Sequence, residues 1–114
     1  MEVSFNGFGE NAATFLAQEG VAPGAPVRVT ANGTVGPCAD GEDFCGAALN
    51  ARGGYAAVQL SGYARLPYGG AAPAVGWRAL CAAEGGRIKA AETGGRTLLV
   101  VDVDENEKTC GVIL

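Results

Sequence analysis

Apolar and polar residues alternate with a period of two over much of this chain, and the alternation breaks every few residues at glycine or proline. The run "YAAVQLSGYARL" is the longest case. Ala56, Val58, Leu60, Gly62, Ala64 and Leu66 fall on one face, and Tyr55, Ala57, Gln59, Ser61, Tyr63 and Arg65 on the other. That is the pattern of a half-buried strand, and Gly62 in its middle predicts a bend or bulge. In "VRVTANGTV", Val27, Val29 and Ala31 alternate with Arg28 and Thr30, and Asn32-Gly33 supplies the positive φ values of a tight hairpin turn. "RTLLVVDVD" begins apolar on both faces, which predicts a central strand. "AATFLAQ" reads as a strand rather than a helical turn. "FCGAAL", "WRALCAA", "RIKAA" and "TCGVIL" supply further short strands. No stretch of a dozen residues carries helical periodicity. These elements predict an all-β fold, a small barrel or sandwich of about eight short strands, with a single domain over 11–114. The glycine-rich start, "FNGFGEN", predicts a flexible arm over 1–10.

The pattern also repeats weakly. Ala22-Pro23 and Arg28 recur as Ala72-Pro73 and Arg78, while Gly33, Val35 and Gly41 recur as Gly86, Ile88 and Gly94. Each copy reads as a hairpin plus a following strand. Neither could bury its apolar face alone, but two could close a barrel or sandwich together.

Composition sharpens this. The chain has 114 residues, room for one core, and 19 of them are glycine. Large apolar side chains are scarce, so the core should be thin. The net charge is −4 and the eight basic residues are scattered, which argues against a nucleic-acid surface. No segment approaches the roughly 20 apolar residues of a membrane-spanning helix. "MEVSFNGFGE" lacks the basic-then-apolar pattern of a secretory signal. A reducing compartment is therefore expected, with Cys38, Cys45, Cys81 and Cys110 as reduced, small apolar residues.

Candidate chemistry is sparse. There is no histidine, and the cysteine spacing fits no zinc knuckle. Asp102, Asp104 and Asn106 have the spacing of a calcium loop, but Glu107 stands where that loop needs glycine and Ile113 where it needs glutamate. "GFGENAATF" lacks the lysine and hydroxyl of a phosphate loop, and Lys89 lies past the turn that would display a lipoyl or biotinyl lysine. Lys89 and Lys108 read as solvated charges. The expectation is a non-enzymatic protein with no metal and no cofactor. The face bearing Tyr55, Tyr63, Gln59 and Arg65 has the composition of a protein interface, and equally that of a barrel's outer surface.

Taken in order, the pieces Gly24–Val29, Asn32–Val35, Cys45–Leu49, Val58–Gly62, Val75–Leu80, Gly85–Ala90 and Leu98–Val103 resemble the small capsid decoration (head-stabilising) proteins of tailed phages and prophages. The resemblance covers 20–114, and Gly76-Trp77 departs from the glycine-acidic step of that pattern. It implies a β-barrel-like structural protein without enzymatic activity, often trimeric. Such a protein is made in the bacterial cytoplasm and set on the outer surface of the virion shell, with the major capsid protein as partner. On that reading Phe5, Phe8 and Phe15 would anchor the arm, and Tyr55, Tyr63, Arg65 and Trp77 would form an assembly face. Two alternatives are a small-molecule or glycan-binding β module and an accessory barrel subunit of a larger complex.

Overall fold

The computed structural model describes residues 10–114. The fold is all-β, with ten strands rather than about eight: β1 (Asn11–Ala17), β2 (Pro26–Ala31), β3 (Thr34–Pro37), β4 (Gly46–Arg52), β5 (Tyr55–Ser61), β6 (Tyr63–Pro67), β7 (Gly76–Ala83), β8 (Arg87–Ala90), β9 (Arg96–Asp104) and β10 (Thr109–Ile113). The long alternating run is two strands, not one. Gly62, at a φ of 91°, turns the chain out of β5 and into β6 of a different sheet. That backbone conformation carries a steric penalty for residues with a Cβ, so the glycine here is a requirement of the path.

The first five strands close a barrel in the order β1-β3-β2-β4-β5, and the last five form a sheet in the order β6-β10-β9-β7-β8. As the sequence pattern predicts, β9 lies in the middle. The edge strands of this second sheet also meet, through a parallel bridge between Tyr68 and Ile88. Going round from β6, the cycle is then β6-β8-β7-β9-β10, the same path as β1-β3-β2-β4-β5. In the barrel, β1 runs parallel to β3 with Ala17 beside Val35, and Leu16 and Gln18 donate their N–H groups to Gly33 and Val35 at 2.9 Å. In the second sheet Gly69 donates likewise to Ile88 at 2.9 Å. Pro67 stands where Leu16 does, and proline has no N–H to give. The second sheet therefore closes by one bridge where the first closes by a ladder.

The repeat extends to irregularities. β4 skips Leu49 in its pairing with β5, and β9 skips Val101 in its pairing with β10. Beside each bulge a side chain caps the opposite strand: Asn50 Oδ1 accepts the Ala57 N–H at 3.3 Å, and Asp102 Oδ1 accepts the Gly111 N–H at 3.2 Å. Pairing positions confirm Gly33 with Gly86 and Val35 with Ile88 as equivalents, but not Arg28 with Arg78. The strand β7 has eight residues against six in β2. Read from the β4 and β9 side, Pro26 and Trp77 correspond; read from the β3 and β8 side, Val29 and Ala82 do. The extra length is an even number of residues, so inward side chains stay inward.

Each half has its own core. Val27, Val35, Ala48, Ala56 and Val58 fill the barrel, with Phe15 packed against them. This core is small, as the shortage of large apolar residues predicts. The second is larger and includes Leu66, Leu80, Ile88, Leu98, Val100 and Val112. Neighbouring residues of β4 feed different cores: Ala48 points into the barrel, while Ala47 belongs to the second core together with Phe44. The outer wall of the barrel is thus a lid on the second sheet. The segment joining β3 to β4 fastens that lid. Gly41 donates to the Ala82 carbonyl and Ala82 donates to the Glu42 carbonyl, both at 2.8 Å, so the loop adds two strand-like bonds to β7. Lys89 meets Asp40 at 2.9 Å and is therefore paired rather than merely solvated. Arg96 Nη1 donates to the Cys45 carbonyl at 2.8 Å.

Among the described residues the four cysteines are free thiols. Burial pushes Cys38 and Cys110 up to about 11, with Glu42 adding to the effect at Cys38.

Candidate assembly surface

The residues singled out in the sequence separate into three groups. Phe5 and Phe8 lie outside the described residues. Phe15 sits in β1, pairs with Ala56 and packs on the barrel core. Tyr55 is 56% exposed at the start of β5, opposite Leu16, on the barrel. Tyr63, Arg65 and Trp77 lie on the second sheet. Tyr55 and Tyr63 share strand parity, but the Gly62 turn assigns them to different sheets. Gln59, placed by alternation on the same outward face, is 4% exposed. Its Nε2 donates to the carbonyls of Ser61 at 3.0 Å and Tyr63 at 2.7 Å, bracing the backbone on both sides of Gly62.

On the outer face of the second sheet, one register row crosses four strands. Tyr63 of β6 pairs with Ile113 of β10, Ile113 with Leu99 of β9, and Leu99 with Trp77 of β7. Their neighbours Ala64, Val112, Val100 and Leu98 point into the core, so these four point out. Trp77 is 68% exposed and Val75, two residues earlier, 58%. Arg78 steadies this end of the row by donating to the carbonyls of Val75 at 3.0 Å and Ala74 at 3.3 Å. Leu99 and Ile113 carried no distinguishing local signal; only the pairing of distant strands brings them beside Trp77.

The adjoining row is polar. Arg65 Nη1 donates to Asp102 at 2.7 Å and to the Tyr63 hydroxyl at 2.9 Å, and its Nε donates to Thr109 Oγ1 at 3.0 Å. The bond to Asp102, ahead of that to Tyr63, raises the Arg65 guanidinium above its usual range. Gly111 makes room for this cluster, because a Cβ there would run into the Tyr63 ring. An apolar row flanked by a charged, hydrogen-bonded one has the anatomy of an interface core and rim.

Asp102 has two separable roles here, cap and ion-pair partner. Changing Asp102 to asparagine keeps the acceptor that Asn50 provides in the barrel, so stability should fall by no more than about 1 kcal/mol, the range of an exposed ion pair. Changing Asp102 to alanine also strands the Gly111 N–H and should cost roughly 1–2 kcal/mol more. Urea unfolding of the two variants checks the order; equal losses would mean that the cap contributes nothing.

Fold and surface together define an all-β protein built from two copies of one strand topology, with an open apolar row on the second copy. No family model, curated protein or solved structure matches the chain.

Proposed function

We propose that this chain is a structural protein that binds the outside of a phage or prophage shell and stabilises it, acting as a homo-oligomer, with three copies favoured, on the major capsid protein. The observation that carries the reading is the outward row Tyr63, Ile113, Leu99 and Trp77, half-buried except for the exposed Trp77, beside the Arg65–Asp102 cluster. It adds to the resemblance of the segment pattern to capsid decoration proteins.

A stacking platform for sugars is less well supported. Tyr55 and Trp77 belong to different sheets. A groove of about 320 Å³ is lined by Gly20, Val21, Ala22, Ala25, Pro26, Val27, Pro37, Cys38, Gly85 and Gly86, with no aromatic or charged side chain.

The test is cosedimentation of purified protein with empty tailed-phage shells bearing no decoration protein of their own, taken from the same host genome. Saturable binding at a fixed ratio to the shell protein supports the proposal. Absence of binding at micromolar concentrations, with the protein folded by circular dichroism, overturns it.

A further inference from the structure

Strand β6 stands at one end of the second sheet, in the order β6-β10-β9-β7-β8. Leu114 donates its N–H to the Gly62 carbonyl at 2.8 Å, and Tyr68 donates to the Lys108 carbonyl at 3.0 Å. The ladder between them is regular, so the even-numbered residues of β6 turn their backbone groups toward β10 and the odd-numbered ones turn theirs away. Arg65, which is exposed, therefore aims its N–H and C=O at the side without a ladder. Among the described residues no strand pairs with Arg65 on that side, and the bridge from Tyr68 to Ile88 closes the sheet only further along. Pro67, between them, has no N–H to satisfy. An edge of this kind is a template for one more strand.

The chain itself leads a segment to this edge. β1 pairs antiparallel with β5 as far as Asn11 beside Ser61, where Asn11 Nδ2 also donates to Ser61 Oγ at 3.0 Å. Two residues after Ser61 the chain is already in β6. Continuing the same antiparallel register past Gly62 sets Gly9 opposite Tyr63, Gly7 opposite Arg65 and Phe5 opposite Pro67. Residues 5–9 match the five residues of β6, about 17 Å at the rise of a strand. Their order suits the two faces of the sheet. Tyr63 and Arg65 fill the outer face, bonded to each other and, through Arg65, to Asp102. A glycine opposite each of them adds no side chain to that crowd. Phe8 falls opposite Ala64, whose side chain belongs to the core. Gly9 comes next to the corner that Gly62 makes, where an incoming strand has to bend as well.

We infer that residues 5–9 add to the edge of β6 in the same chain as an antiparallel strand, with Gly7 bonded to Arg65 through both backbone groups and Phe8 on the core side beside Ala64. A segment joined directly to β1 reaches that edge at a far higher effective concentration than a separate chain does. The added strand also blunts an edge that would otherwise recruit strands from other molecules. This inference does not depend on shell binding and is tested without a shell.

The experiment is amide hydrogen exchange, read by nuclear magnetic resonance, on the full chain, on a chain beginning at Glu10 and on Gly7→Pro. The Arg65 N–H should exchange at least about tenfold more slowly in the full chain than in either variant. The Leu66 N–H faces β10, so it should stay slow in all three and reports that the sheet is intact. In the full chain the Hα atoms of Phe8 and Ala64 should show a cross-strand contact, because this register makes them a close, non-hydrogen-bonded pair. An Arg65 rate that neither variant changes overturns the inference, and so does a Phe8 contact elsewhere than at β6. A Phe8–Ala64 contact seen only between isotopically labelled and unlabelled copies overturns it too, since the strand then comes from a neighbour. If the shortened chain also exchanges fast at Leu66, the Gly7→Pro comparison decides alone.

Discussion

Shortening Leu80 to alanine should lower the unfolding free energy by about 2–5 kcal/mol, the largest single effect expected here. Leu80 is 0% exposed in the core of the second sheet, among Leu66, Ile88, Leu98 and Val100. It sits on β7 at the point where pairing passes from β9 to β8, opposite Arg96 on one side and Ala90 on the other. Collapse around the missing methyls would have to drag on both ladders, so the cavity should persist. A small domain has only about 5–15 kcal/mol to lose, so the variant should unfold well below the parent in urea. A loss under about 1 kcal/mol would show that this core is loosely packed.

The second large effect is expected at Gln59. Replacement by leucine keeps the volume but removes the donor for the Ser61 and Tyr63 carbonyls, and should cost roughly 2–4 kcal/mol. Replacement by glutamate separates the donor from the shape. As a carboxylate it faces two carbonyls with no proton to give, so its folded-state pKa should rise above the ordinary value near 4.3. A raised folded pKa means that the proton stabilises the fold. The stabilisation is fully present below the unfolded pKa and is lost as pH rises through the folded one. The glutamate variant should therefore gain stability relative to the parent on going from about pH 7 to about pH 4. Thermal melts across that range decide it, and parallel curves for the two proteins would remove Gln59 from this role.

Much of the fold was legible in local pattern because period-two alternation and turn chemistry are local. Asn32-Gly33 marked a hairpin, Gly62 a break, and the doubly apolar start of β9 a central strand. The match of Gly33 and Val35 with Gly86 and Ile88 reported a real repeat of strand topology. The match of Arg28 with Arg78 did not hold, since β7 carries extra length. Closure was not legible. The parallel contact of β1 with β3, and the proline that thins its counterpart, depend on strands far apart in the chain. The surface suffered for the same reason. Alternation placed Gln59 in solvent beside Tyr55, but a covering sheet buried it. Nothing near Leu99 or Ile113 says that they share a row with Trp77. Phe15 stood in a stretch read as a strand, but nothing local said which face it took; its pairing with Ala56 places it on the barrel core.

The two cores are also unequal partners in time. Every strand of the barrel lies between Asn11 and Ser61, so it can close during synthesis while the later strands are still in the ribosome. The second sheet cannot be completed in that independent way, because Ala47 and Phe44 of the earlier half form part of its core. The emerging β6 to β10 would then meet a finished template, and folding during synthesis is expected to run from the amino end toward the carboxyl end. Two halves with interchangeable strand order could otherwise exchange strands with each other, β1 pairing with β10 in place of β5. Vectorial synthesis removes that choice by committing β5 before β10 exists. A chain refolded from denaturant has no such protection, and its yield should fall below that of the freshly translated protein.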